Sequence, residues 1–109
     1  MTKKISGEVS IKLGGKSMAL RLDAGTILDL EDHFDVGFIH FMENKFAELR
    51  LGDLSVLVMS MTDRDYNDRD LVKAVAGDIV DAGIVEVVTL VSKCIENTLM
   101  VSDEKQPGK

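Results

Sequence analysis

Asp63-x-Asp65-x-Asn67 places three oxygen-bearing side chains at alternate positions, the spacing that opens a calcium-binding loop. A complete loop of that kind also needs glycine at its sixth position and a bidentate glutamate at its twelfth. Those positions hold Asp68 and Ala74, so the sharp turn and the closing carboxylate are both missing. The segment reads instead as a polar connector that ends in a helix cap. His33, His40 and Cys94 are the remaining soft ligands, and no two of them are close in sequence, unlike the paired ligands of a zinc site. They are expected to be two surface histidines and a small core residue. Ser55 follows Asp53-Leu54, whereas a carrier-protein attachment site would read Asp-Ser-Leu. Gly14-Gly15 has neither a P-loop nor a dinucleotide pattern around it. The expectation is no catalytic residue, no cofactor and no metal, so function has to be sought in surfaces.

Charge and composition narrow the partners. The 109 residues carry a net charge of −6, and 45% of them are hydrophobic, enough for a real core. Residues 1–22 hold five Lys/Arg against one Glu, whereas residues 23–101 hold six Lys/Arg against sixteen Asp/Glu. An acidic body is poorly suited to nucleic acid, which is bound by neutralising its phosphates with Lys and Arg. No apolar run reaches the ~18 residues of a membrane span. The opening MTKKISGEVS lacks the apolar stretch of a secretory signal. A single cysteine permits no internal disulfide and fits a reducing, cytoplasmic setting.

The elements that would carry these residues can be read from periodicity. In GEVSIKLGGKSMALRL, Val9, Ile11 and Leu13 alternate before Gly14-Gly15, and Met18, Leu20 and Leu22 alternate after it. Period two marks half-buried strands, and two glycines supply the positive φ angles of a two-residue hairpin turn. That register opposes Leu13 to Lys16, Ile11 to Met18 and Val9 to Leu20, so Val9, Ile11, Met18 and Leu20 share one apolar face. A lone hairpin is marginal in water, so this face must land on the helices that follow or on another molecule.

Asp23 or Thr26 is placed to cap a first helix with Ile27, Leu30 and Phe34 on its apolar side. Asp35-Val36-Gly37 ends it. Residues 38–50 read as a second helix with Phe38, Phe41, Met42, Phe46 and Leu49 on one side. Leu51-Gly52-Asp53 reads as a stop and a cap, and residues 54–62 favour a third helix. The unbroken run Val56-Leu57-Val58-Met59 leaves a buried strand as the alternative there. Asn67 or Asp68 would cap a fourth helix built on Leu71, Val72, Val75 and Ile79, stopped by Ala82-Gly83. A fifth, about 84–101, shows Ile84, Val87, Val88, Val91, Ile95 and Leu99 on a wide apolar face. The reading is an α+β fold: an N-terminal antiparallel β-hairpin followed by a four- to five-helix bundle-like body, one domain over 1–101 with a flexible tail at 102–109.

Gly7-Glu8-Val9, the Gly-Gly hairpin, Arg21-Leu22, Leu30-Glu31-Asp32-x-Phe34 and the late Ala82-Gly83 before an apolar helix, in this order, resemble the gene transfer agent family of phage tail proteins, within the tail assembly chaperone class. The resemblance spans about residues 7–100, and the Phe-rich stretch 38–46 and the acidic connector 63–70 depart from it. It implies a non-enzymatic protein of phage or prophage tail morphogenesis that coats the tape measure protein until tube subunits replace it. A structural tail tube or connector subunit is the alternative. The expected partners are the tape measure protein or other tail proteins, with a second copy of the chain as a further expected partner. Val9, Ile11, Met18, Leu20, Phe38, Phe41, Met42 and Phe46 form the candidate partner surface.

Overall fold

The Gly14-Gly15 turn sets the first element. Its two residues take φ angles of 60° and 80°, the left-handed pair that matches the twist of the flanking strands. Strands β1 (Val9–Leu13) and β2 (Lys16–Leu20) pair antiparallel, with Val9 opposite Leu20, Ile11 opposite Met18 and Leu13 opposite Lys16. The computed structural model describes residues 7–99, and the two strands are the only sheet among them. Five helices follow: α1 (Ala24–Phe34), α2 (Phe38–His40), α3 (Leu51–Met61), α4 (Arg69–Ala82) and α5 (Ile84–Leu99). The molecule is therefore α+β and mostly helical. The expected tail at 102–109 and residues 100–101, the expected end of the last helix, lie outside the described residues.

Local chemistry accounts for most of the helix ends. Asp23 caps α1 by accepting from the Thr26 N–H at 2.9 Å. Asp35 ends it in the left-handed region at φ 58°, with its N–H returned to the Glu31 carbonyl. Asp68 caps α4, accepting from the N–H groups of Asp70 and Leu71. Gly83, at φ 102°, turns α4 into α5.

The core is built around α3. Every residue from Leu54 to Met59 is buried, and a helix that is apolar all round belongs inside. Residues 54–62 are thus helical rather than a strand. The helix starts at Leu51, so Asp53 lies in its first turn and is not its cap. The hairpin lays Ile11, Leu13 and Leu20 onto this centre, joined by Leu30 of α1, Val75 and Ile79 of α4, and Val87 and Val91 of α5. Full burial of one such aliphatic side chain contributes about 1.5–3 kcal/mol. β1 packs on α4 and α5, β2 on α3. At the hairpin tip the approach to α4 is close: a Cβ on Gly14 would lie 2.8 Å from an oxygen of Asp78.

Residues 38–50 depart from the expected single helix. After the three residues of α2 the backbone widens into a π-helical turn over Phe41–Lys45, with the Phe46 N–H donating to the Phe41 carbonyl at 2.8 Å. Three-residue turns then close at Glu48 and Leu49, and Leu49 itself sits at φ 55°.

Candidate partner-binding surface

The Leu30-Glu31-Asp32-x-Phe34 sequence builds the support for this irregular segment. Leu30 is buried in the core. Glu31 extends past the end of α1, and its Oε2 accepts from the Phe38 N–H at 2.9 Å, so a carboxylate from one helix caps the next. Phe34 stacks on Phe41 with ring centroids 4.5 Å apart. Phe41 in turn lies 6.2 Å from Phe38 and 6.4 Å from Phe46. Asn44 donates to the His40 carbonyl at 3.0 Å, where the backbone enters the π-helical turn.

The π-helical turn has a steric reason. In an α-helix each residue advances about 100°, so two residues five apart point about 140° away from each other. An i→i+5 turn winds more slowly and brings them onto one side. Phe41 and Phe46 are five apart and both belong to the aromatic cluster. The segment trades regular hydrogen bonding for ring contact.

Ile39, Met42, Phe46 and Leu49 form the outer side of this segment, three, four and three residues apart. Ile39 is 61% exposed and Leu49 46%, while Met42 and Phe46 are half-buried. Among the described residues, Leu49 is also one of three non-glycine residues with positive φ, the other two being aspartates. A left-handed conformation costs a residue with a side chain roughly 1–2 kcal/mol. Ile39 and Leu49, ten residues apart, are the two exposed large apolar residues of this segment, and Leu49 combines that exposure with a left-handed backbone.

The structure redistributes the expected partner surface. Ile11, Leu20, Phe38 and Phe41 are core residues, 5% exposed or less. The pleat turns the Ile11–Leu20 face inward onto the helices, and Phe38 and Phe41 fill the space against Phe34. Val9 and Met18 are half-buried against the same core. Met18 receives the Arg64 guanidinium at 3.3 Å from its sulfur. Of the eight residues, Met42 and Phe46 stand at the irregular surface just described. Ile39 and Leu49, neither of them among the eight, are the exposed apolar residues of the same segment.

The residues with chemical potential are dispersed. Asp65 accepts from the Asn67 N–H at 3.0 Å in a local turn, and Asp68 is occupied as the α4 cap. No three His, Cys, Asp or Glu side chains among the described residues are grouped to hold a metal ion. His33 is wedged edge-on between Phe34 and Tyr66, at 4.8 and 5.0 Å. Burial pushes the Tyr66 hydroxyl above its usual range, and the carboxylates of Asp29, Asp32 and Asp65 add to the effect. Cys94 is fully buried, its Sγ 3.4 Å from the Leu20 carbonyl, and burial raises its thiol away from the reactive thiolate. Ser55 is buried too, its hydroxyl donating to the Leu51 carbonyl at 2.8 Å. No helix among the described residues is long and apolar enough to cross a membrane. No protein-family model matches the chain, and no curated protein or solved structure matches it.

Proposed function

We propose that this protein is a non-enzymatic binding protein, a tail assembly chaperone of phage or prophage type that holds the tape measure protein during tail morphogenesis. One observation carries the binding role: the exposed Ile39–Leu49 side of a segment whose backbone departs twice from regular geometry. A long helical client presents apolar stripes, and Ile, Met, Phe and Leu at this spacing offer adaptable contact area for them. The acidic body supports the same role, since net charge keeps a protein with exposed apolar residues soluble. The choice of client comes from the resemblance of the sequence to the gene transfer agent family.

The test is co-expression with a tape measure protein, read by the client's soluble yield and by co-purification. The expected result is a soluble complex that Ile39→Asp with Leu49→Asp abolishes while the variant keeps its far-ultraviolet dichroism and melting behaviour. Stable rings of the protein alone, with no affinity for the client, would replace this reading with a structural tail subunit.

A further inference from the structure

The hairpin has an edge that the body leaves open. In a two-residue hairpin the pair flanking the turn exchanges both backbone hydrogen bonds, and such pairs alternate along the ladder. Leu13–Lys16, Ile11–Met18 and Val9–Leu20 are therefore the hydrogen-bonded pairs of this register. Ser17 and Ala19 lie between them, so their N–H and C=O groups point outward from β2. One residue beyond the strand, on the same outward side, the Arg21 N–H is taken by the Met61 carbonyl at 2.9 Å. The end of α3 thus covers the edge at Arg21 and goes no further. Among the described residues, neither Ser17 nor Ala19 has a backbone partner outside the hairpin. From Met18 and Ala19 to Arg21 the strand lines a groove of about 420 Å³, whose other walls are the start of α1 at Asp23 and Thr26 and the end of α3 from Ser60 to Asp63; Ser17 lies beyond its end.

We propose that this groove accepts an extended segment of a partner protein as a third strand on β2, and that the segment carries basic side chains. The main-chain half of the site is the outward N–H and C=O of Ser17 and Ala19, repeating every second residue as a strand requires. The side-chain half is charge. Asp23 stays ionised because the Thr26 N–H and hydroxyl hold its carboxyl below the usual range. Asp63 stands exposed at the opposite wall, on the last turn after α3. The hairpin itself is basic, but the body beyond it, residues 23–101, carries sixteen Asp/Glu against six Lys/Arg, and the net charge of −6 favours approach by a cationic chain. Arg21 lines the same groove, but its guanidinium is turned to Glu8 at 3.7 Å. Strand addition here is independent of the Ile39–Leu49 surface, so the protein would hold two kinds of segment at once.

The probe is an acetylated hexapeptide alternating lysine and valine, with the glutamate–valine peptide as control. Amide hydrogen exchange is followed on the full chain, with and without peptide. In the free protein the Ser17 and Ala19 amides should exchange fast and those of Met18 and Leu20 slowly. Saturation with the lysine peptide should slow Ser17 and Ala19 at least tenfold, and the glutamate peptide should leave them unchanged. Ala19→Pro removes an outward N–H without touching the β1 ladder, and proline is tolerated at such an edge position. It should weaken the lysine peptide about tenfold, the effect of one lost hydrogen bond. Asp63→Asn keeps a residue that tolerates left-handed backbone and should weaken it two- to threefold. Unchanged exchange at Ser17 and Ala19 under saturating peptide overturns the proposal. So does equal binding of both peptides, or slow exchange at these amides in the free protein that persists on dilution.

Discussion

The hairpin and the segment after α1 were both written in apolar residues, and they obey their patterns to different degrees. In residues 9–20 each level of description agrees. The alternation fixes which side faces inward, the Gly-Gly turn fixes the register, and a one-residue slip would expose Ile11, Leu13 and Leu20 together. In residues 38–50 two demands conflict. A regular α-helix would satisfy the backbone, but it would swing Phe46 away from Phe41. Ring packing prevails, and the helix breaks into a short α-helix, a π-helical turn and a strained Leu49. Where pattern and packing agree, the element is regular and buried. Where they compete in 38–50, backbone irregularity accompanies the exposed Ile39 and Leu49, and this irregularity, rather than exposure alone, sets the segment apart from Leu28, Val80 and Val85 on regular helices.

The sharpest way to break this contrast is to remove one core side chain from each region. Leu20→Ala takes a fully buried side chain from the hairpin's inner face and should cost about 2–5 kcal/mol of global stability. Urea unfolding should remain a single transition at a lower midpoint. Phe41→Ala removes comparable buried area, yet part of its effect should appear as local opening of residues 37–50. Hydrogen exchange would then rise at Phe46 and Leu49 before it rises at Ile11 or Leu20. If Phe41→Ala instead unfolds the hairpin and the 37–50 segment as one unit, the two regions are not energetically distinct.

A smaller effect tests the link between them. Glu31→Ala deletes the carboxylate that caps α2 from the end of α1. The loss should be about 1–2 kcal/mol, confined to the segment it caps. The Phe38 amide should lose its protection while Met18 and Leu20 keep theirs.

Leu49→Gly works in the opposite direction. Glycine adopts φ 55° freely, so the substitution should relieve roughly 1 kcal/mol of backbone cost, less the little burial this exposed leucine contributes. A modest rise in melting temperature together with weaker client binding is expected, the exchange of stability for function seen at binding sites. A drop in stability would mean that Leu49 packs more than its exposure implies.

How much of this was legible in the chain follows the same division. The hairpin register, the Asp23 and Asp68 caps and the inner faces of α4 and α5 are all local patterns, set within a few residues. The start of α3 lies at Leu51 rather than after Asp53: the backbone is already helical there, with the Leu54 N–H donating to the Arg50 carbonyl, and Asp53 falls in the first turn. Four of the eight residues of the expected partner surface are core for a simple reason. An apolar residue at the right period is a core residue first, and Ile11, Leu20, Phe38 and Phe41 are all spent there. Leu49 was read as part of the apolar side of 38–50, but its exposure and positive φ follow from the irregular backbone there, and Ile39 was not singled out. The role of Glu31 as a cap seven residues away has no signal at helical spacing at all.

The smallest expected effect sits at the joint between hairpin and helices. Asp23 ends the β2 connection and caps α1, and its carboxyl is held below its ordinary value of 3.8, first by the Thr26 backbone N–H and then by the Thr26 hydroxyl. A folded-state value below the unfolded one means that the unfolded chain binds the proton more readily. The contribution to stability is therefore present above pH 3.8 and is lost as pH falls through the folded value. Asp23 is exposed, so solvent and salt reduce the charge-dependent part to a few tenths of a kcal/mol. Asp23→Ala should lower stability by about 1 kcal/mol at neutral pH, the ordinary effect of deleting an N-cap. The melting-temperature gap between the two proteins should be flat from pH 7 to pH 5 and narrow below pH 4. A gap that persists unchanged at acid pH would mean that the cap acts through its geometry alone. A gap that widens there would reverse the sign of the linkage and remove Asp23 as the ionised wall of the β2 groove.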